Sequence, residues 1–542
     1  MEVSNLSIPI GNKLVNNYLS GVLDTASFFD YDISSPNVYE ERKNDLLSRV
    51  FPREDLVNHL LSFNERYGCH ENTILNIKKL LNPNSVVVIG GQQAGLLTGP
   101  LYTIYKVISI IKLAEQQEKH LNIPVVPVFW IAGEDHDFAE INHLFIKDRD
   151  KIRKKIIPQR QLEKMTVSML KIEKDVCSKW ISDIFESFGE TDNTNELITK
   201  VYACLEKSNT YVDFFSYLIN DLFTDSGLVI IDSASSELRK IESDFFTTMI
   251  QKNSEIRNAV FSQQSMINDS GYKLMIDVQG TSANIFYHYN NERVLLEYDE
   301  DTCTFQGKNN KCTLTVNELL HVAKEEPEKL SNNVVTRPLM QEFLFPSLAF
   351  ISGPGEVAYW AELKQVFSIM GIKMPPIVPR VTISILERSI ERDMQDLDIS
   401  LLETLSGKLE DSKNRWIENQ VENNLDDLIE HAKQEVERIH KRLRDTALEI
   451  DNSLNDVLLK NASLIQSQLE FVNTIVKKKV YLQHEVELNK FRRVEMSLLP
   501  NKAPQERVWN IYYYLNKYGK DFVVDLLKLP IEVDGKHKIV KV

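Results

Sequence analysis

Short apolar runs alternate with longer stretches of helical period through the first part of the chain. Residues Ser85 to Gly90 read SVVVIG, a β-branched run that opens into GGQQAGLLTGP, and YTIYKVISIIKLAEQQ beyond it has helical periodicity. A second run, PVVPVFWIAG from Pro124 to Gly133, follows a break at Asn122 to Pro124 and ends in the charged string EDHD. The pattern predicts a β-α-β unit with parallel strands and a right-handed crossover. GLVIID (Gly227 to Asp232) and SLAFISG (Ser347 to Gly353) are equally brief and each leads into a helical stretch, so both are candidate strands of the same core. The material between them does not repeat the pattern, which predicts a core split by insertions.

The divisions that follow are 1–141 for the first part of the core and 142–210 for a first insertion, which opens with the basic IKDRDKIRKKI and continues into helices. The core resumes over 211–265, gives way to a second insertion over 266–337, and ends over 338–389. KLMIDVQ, ANIFYHY and RVLLEY, separated by turn-like Gly and Asn pairs, make the second insertion a small antiparallel sheet. Residues 390–499 contain no proline and are helical in pattern throughout. Val421, Leu425, Leu428, Ala432, Val436, Ile439, Leu443, Ala447 and Ile450 form one apolar stripe. Leu454, Leu458, Ala462, Ile465, Leu469, Val472, Val476 and Val480 form another. Asp451, Asn452 and Ser453 lie between them, and Ser453 with Asp456 has the form of a helix N-cap with an acidic first turn, which predicts a hairpin. The competing geometry is one rod, which at about 1.5 Å per residue would exceed roughly 100 Å. A long helix with one apolar side needs a partner in either case. In the closing segment, 500–542, RVWNIYYYLNKYG predicts an aromatic-rich helix returning to the core.

Composition narrows the class. With 43% hydrophobic and 26% charged residues over 542 positions the chain is globular and multidomain. The start, MEVSNLSIPIGNKL, lacks the features of a signal peptide, and no segment approaches the ~18 apolar residues that cross a bilayer, so a soluble cytoplasmic protein with no membrane partner is expected. The five cysteines (Cys69, Cys177, Cys204, Cys303, Cys312) are scattered and without a CxxC pair, which predicts free thiols and no metal cluster. A net charge of −15 disfavours nucleic acid as a partner, and the patch Lys477, Lys478, Lys479 reads as a solvated helix face.

Three places can carry chemistry. A strand that turns through glycines into a helix presents backbone N–H groups and a positive dipole end, an anion site. Here Gly90, Gly91, Gly95 and Gly99 permit close approach while Gln92, Gln93, Thr98 and Tyr102 offer neutral hydrogen bonds; the string matches neither GxGxxG nor the Walker pattern, and a plain structural turn is the alternative. Glu134, Asp135, His136 and Asp137 follow the second strand, where ligands of open α/β sheets bind. They can hold an ammonium group or Mg2+, with His136 as general base, or simply cap a helix. Trp130, on that strand, and Asn142, just beyond the cluster, belong to the same candidate binding set. After SLAFISG, Gly353, Gly355 and Glu356 stand at another strand-to-helix turn, where the carboxylate can accept two ribose hydroxyls; Tyr359 and Trp360 follow, as binding or core aromatics. Arg337 and Arg380 suit phosphate or carboxylate clamping, or surface salt bridging.

GGQQAGLLTGPLYTIYK, VFWIAGEDHDFAEINH, FISGPGEVAYWAEL and PNKAPQERVWNIYYYLNKYG occur in order along essentially the whole chain, and together they resemble the cysteine-adding enzyme family of bacillithiol biosynthesis. The resemblance implies an α/β fold: a class I nucleotidyltransferase-like Rossmann core with two connecting-peptide insertions, and a long antiparallel coiled coil that pairs subunits into a homodimer. It implies a carbon-nitrogen ligase that joins the carboxyl group of cysteine to the amine of glucosaminyl malate. Activation of the carboxylate would require a nucleotide, ATP, with ADP or AMP as its product and Mg2+ as companion. In that picture the turn from Gly90 to Tyr102 holds phosphates, Asp135 and Asp137 hold the amino acid or metal, His136 takes the amine proton, and Glu356 holds ribose. The chain departs from class I synthetases in carrying TGPLY where HIGH would stand and PRVTIS without the lysines of KMSKS. Lys106, Arg337 or Arg380 must then supply the positive charge that meets pyrophosphate. A nucleotide-binding coiled-coil scaffold without catalysis is the alternative in a different class, and an RNA-associated factor a more distant one.

Overall fold

The structure is a computed structural model that describes the chain except residues 9, 10, 23, 162, 163 and 421–424. It divides into two compact units, one of Met1–Ile385 with Gln505–Val542 and one of Leu386–Pro504.

In the first unit, β1 (Val86–Gln92), α1 (Leu101–Leu121) and β2 (Val125–Ile131) are the expected β-α-β unit. Next come β3 (Val229–Asp232), α2 (Ser236–Gln251), α3 (Thr336–Leu344), β4 (Ser347–Ser352), the short α4 (Pro354–Trp360) and β5 (Ile377–Pro379). The five strands form one sheet in the order β5-β4-β1-β2-β3, and every neighbouring pair is parallel. Chain order therefore runs outward from β1 to β2 and β3 on one side, then jumps back to β4 and β5 on the other. Side chains alternate between faces: Val86 and Val88 enter one apolar cluster and Val87 and Ile89 the other, which is why these strands read as continuous apolar runs. Gly90 belongs to this packing, since a Cβ there would lie 2.8 Å from the Ile351 carbonyl oxygen of β4.

Between β2 and β3 the chain forms an antiparallel hairpin, His143–Asp148 with Lys151–Ile156, and the helices Lys174–Phe188 and Thr194–Lys207. Between α2 and α3 stands a five-stranded antiparallel sheet that includes Ser282–Tyr289, Glu292–Asp299 and Leu330–Asn332. The expected strand KLMIDVQ is not among them: the Met275 and Ile276 amides donate to the Glu362 carboxylate, which satisfies them outside any ladder. The chain ends meet in a third sheet, where Glu2–Leu6 pairs antiparallel with His537–Lys541 beside Thr382–Leu386. The aromatic helix Ile511–Tyr518 joins the same apolar cluster as α1 through Ile511, Tyr512, Tyr514 and Leu515.

In the second unit, α5 (Leu425–Ile450) and α6 (Asn455–Gln483) are separated by a turn that Asp451 caps, its carboxylate accepting from the Ser453 amide. They lie side by side: Lys433 pairs with Glu470 at 2.6 Å, and His440 Nε2 meets Asn461 Oδ1 at 2.9 Å. Most of the second stripe faces this seam, with Ala462 buried and Leu458, Ile465, Leu469 and Val476 half-buried, while Leu454 and Val472 are exposed. Of the first, Ala432, Val436 and Ala447 are half-buried while Leu428, Ile439, Leu443 and Ile450 are exposed, and Ile429 and His440, outside the stripe, are buried. Val421 lies outside the described residues, as do the side chains of Leu425, Lys477 and Val480. No helix among the described residues is long and apolar enough to cross a membrane.

Candidate functional site

Where consecutive strands leave a parallel sheet in opposite directions, the loops beyond their carboxyl ends part and leave a crevice. Here that reversal lies between β1 and β4, and a cleft of about 640 Å³ opens there. Gly91, Gln92, Gln93, Pro100, Tyr102 and Lys106 line it from β1 and α1, Trp130 and Asp135 from β2, and Gly353, Gly355, Glu356 and Trp360 from β4 and α4. Arg337 of α3 and Arg380, just past β5, complete the set of expected residues that it brings together.

The glycine turn is a packed structure rather than an open cradle. Leu97, Thr98 and Gly99 all take positive φ, at 47°, 70° and 70°, a conformation costly for the first two. Asn510 holds it in place, its side-chain amide donating to the Leu97 and Gly99 carbonyls at 2.7 and 2.6 Å. The first amide of α1, on Leu101, donates to the Trp509 carbonyl at 2.9 Å, so the closing segment already occupies the helix start. Gly90 and Thr98 are buried, and neither they nor Gly99 line the cleft, which corrects their expected place in a phosphate loop.

The four residues after β2 separate into four environments. Asp135 lines the cleft, with Arg293 at 3.8 Å on one oxygen, Arg337 at 3.9 Å on the other, and the Gln93 amide donating at 3.3 Å. Glu134 turns into the core, where it pairs with Arg239 at 2.6 Å and accepts from the Asn332 amide at 3.1 Å. His136 sits off the cleft, its Nδ1 accepting from Arg293 at 3.1 Å; burial, Arg293 and Lys164 draw its pKa below the ordinary value against Asp135 and Asp137. Asp137 accepts from the Ala139 amide and caps the helix Phe138–Ile141. Asn142 ends that helix, away from the cleft wall. Glu134, His136, Asp137 and Asn142 thus stand apart from the expected binding surface, and the carboxylates of Asp135 and Asp137 are engaged by guanidinium groups and a backbone amide rather than grouped around a metal position.

On the opposite wall Lys106 is 1% exposed, donates to the Gly91 carbonyl at 2.6 Å and pairs with Glu356. Burial lowers its pKa and the Glu356 carboxylate opposes that shift. The same Glu356 oxygen accepts from the Gly353 amide at 2.6 Å, so this carboxylate is shared between a cap and an ammonium. Arg380 is fastened to Glu506 by two hydrogen bonds of 2.8 and 2.6 Å, a buried clamp rather than a free cation. Arg337 donates to the Tyr359 hydroxyl at 3.3 Å, and burial pushes that phenol up to about 12.

Several cleft residues carry no local sequence signal. Arg507, exposed at the cleft, belongs to the closing segment; Glu140, His143, Phe145 and Gln341 come from a helix turn, the first hairpin and α3; Arg293 and Arg239 support Asp135 and Glu134 from behind. Arg293 is 157 residues from His136 in the chain, a separation that only the tertiary fold closes. Lys106, Arg337 and Arg507 line the same space as Asp135, Glu140 and Glu356, a surface suited to an anionic ligand that also carries a cationic or hydroxyl group. No group of three or more His, Cys, Asp or Glu side chains among the described residues is arranged to hold a metal ion.

Comparison with known proteins agrees over the full length. The family described as "Bacillithiol biosynthesis BshC, N-terminal Rossmann-like domain" matches residues 1–381, and "Bacillithiol biosynthesis BshC, C-terminal coiled-coil domain" matches residues 383–542. A protein of Geobacillus sp. (strain WCH70) bearing the name "Putative cysteine ligase BshC" is 48% identical over 540 residues, covering 100% of both chains. Proteins of the same name from Geobacillus thermodenitrificans (strain NG80-2) and Bacillus thuringiensis subsp. konkukian (strain 97-27) are 43% and 44% identical, again over 100% of each chain. With a reversal-point cleft in a five-stranded parallel sheet, a helical second unit and two family domains that together span the sequence, the chain belongs to the BshC family of bacillithiol biosynthesis.

Proposed function

We propose that this chain is a cytoplasmic carbon-nitrogen ligase that joins the carboxyl group of cysteine to the amine of glucosaminyl malate, with ATP as the activating substrate. The observation that supports it most is the cleft itself, which is lined by cations and carboxylates together at the point of the sheet where small ligands bind. Its volume of about 640 Å³ lies within the range of nucleotide-sized sites, and at Gly355 no atom lies within 4 Å of where a Cβ would stand, so the wall there leaves room. These residues fit a nucleotide. Lys106, Arg337 and Arg507 would meet its phosphates and Mg2+ would accompany them; the nucleotide would supply the leaving group that a free carboxylate lacks.

Each wall has a part in this reading. Asp135, aimed by Arg293 and Arg337, would orient the ammonium group of cysteine. Arg337 and Arg507 would also draw the malyl carboxylates of the second substrate. Glu356 keeps the Lys106 ammonium against the Gly91 carbonyl, fixing positive charge beside the glycine turn where HIGH is missing.

The second unit supports a homodimer. Leu428, Ile439, Leu443 and Ile450 of α5 are exposed in the single chain, as are Val457, Leu464, Phe471 and Leu482 of α6, the first three of them seven residues apart. Apolar stripes of that period are covered in antiparallel coiled coils, here by a second copy of the chain. The experiment for the reaction incubates purified protein with cysteine, ATP and glucosaminyl malate and follows the thiol product by mass. Product that depends on all three substrates is expected; none, with fresh enzyme and a cell extract added, overturns the reading.

A further inference from the structure

The inserted antiparallel sheet is fastened to the loop after β2 at two atoms of one residue. The Asn332 amide donates to Glu134, and its carbonyl accepts from Arg293, which also donates to Ser331 Oγ at 3.0 Å. Arg293 itself is 5% exposed and lies over the Phe286 ring, 3.7 Å from its centroid. Its remaining reach is toward the loop, where NH1 stands 3.1 Å from His136 Nδ1 and 3.8 Å from Asp135.

A guanidinium group has donors and no acceptor. Its contact with Nδ1 therefore makes that nitrogen the acceptor, and a neutral imidazole with an accepting Nδ1 carries its proton on Nε2. We propose that Arg293 is a positioning residue that holds His136 in the Nε2–H tautomer, so that the imidazole is not the base that takes the amine proton. The surroundings agree: Arg293 and Lys164 face the ring as cations, Asp135 and Asp137 as carboxylates, and Phe286 packs against it at 6.0 Å. The inserted sheet thereby acts on the loop chemically as well as mechanically, through one side chain. This rests on the ligase reading only for its kinetic consequence, since the tautomer is a property of the unliganded protein.

Long-range nitrogen-proton correlation spectra of protein labelled with 15N-histidine test it, His136 being assigned by its absence from His136→Gln. An Nε2–H pattern at neutral pH is expected. An Nδ1–H pattern, or equal amounts of both, overturns the proposal whatever the enzyme turns over. Arg293→Met, if folded, should let the two tautomers mix; if it does not fold, the wild-type spectrum still decides. For turnover, the side chain in His136→Gln keeps an acceptor for Arg293 and a donor beyond it. It should retain at least tenfold more ligation than His136→Ala, whereas a general base would leave both variants down by about 10²–10⁴-fold. Absence of turnover in wild type would count against the ligase reading and leave the spectroscopic result standing.

Discussion

The two units use the same kind of apolar residue to opposite ends. In the first, β1 to β5 bury nearly every apolar side chain inside one chain, and Val87, Val88, Val126 and Val128 are 0% exposed. In the second, α5 and α6 share a seam that admits His440, Asn461 and Lys433, while Leu443 stays 62% and Phe471 56% exposed. The core has settled its hydrophobic demand and can leave a polar cleft open at one end. The helices have not, and their remaining apolar surface is a request for a partner. On the proposed function, chemistry belongs to the first unit and association to the second.

The sharpest way to break that assignment is in the cleft. Asp135→Ala and Arg337→Ala should each lower cysteine ligation by at least about 10²-fold with the melting temperature shifted by only a few degrees. If these changes are silent while hairpin changes abolish function in cells, the scaffold reading replaces the enzyme. The next effect concerns the helices. Leu443→Asp combined with Phe471→Asp should convert dimer to monomer in sedimentation equilibrium at micromolar protein, with helix content by circular dichroism retained. A double variant that sediments like wild type would place the dimer contact elsewhere.

A pH effect separates buried from exposed charge. Burial lifts the Glu242 carboxyl from its ordinary 4.5 to about 7, Arg239 opposing and Glu134 adding to the rise. The folded state thus keeps a proton that the unfolded chain releases, so this group's contribution is full below pH 4.5 and is lost as pH climbs through about 7. Thermal melts should show the first unit weakening across that window by roughly 1–3 kcal/mol, and Glu242→Gln should flatten the profile. A profile unchanged in the variant would remove Glu242 as its cause. The smallest effect lies in the seam: His440→Ala breaks the contact with Asn461 and should lower stability of the helical unit by about 1 kcal/mol in urea titration, leaving ligation intact. A loss of ligation there would mean that the two units are coupled.

Much of the fold was legible in the residues. Four of the five core strands announce themselves as apolar runs ending in Gly or Asp, because a strand covered on both faces needs apolar side chains at every position. β5 was not legible, since Ile377–Pro379 is three residues long and takes its strand identity from β4 beside it. The helical period of α5 was readable, yet the edge of its packed face was not: Ile429 and His440 are buried beside half-buried Ala432, Val436 and Ala447, and a stripe counted on Leu and Ile runs past them to exposed Leu428, Ile439 and Leu443. The site divides the same way. Asp135, Lys106, Arg337 and Glu356 stood out by type and place, while Glu134 and Asp137, their neighbours in EDHD, proved to be a core ion pair and a helix cap. Adjacent residues on a loop point in different directions, and nothing local says which one lines the cleft.

Composition and period decided on their own that this chain would build a parallel sheet, turn through glycines at its carboxyl end and form long helices before a closing segment that returns to the core. Those outcomes follow from side-chain volume and spacing along one strand or helix. Tertiary structure alone decided that β1 and β4 would lie side by side with a cleft beyond their carboxyl ends, that Asn510 would hold the glycine turn from the far end of the chain, and that Arg293 would reach His136. A hydrogen bond between groups 157 positions apart depends on how every intervening element packs, and that information is distributed over the whole core.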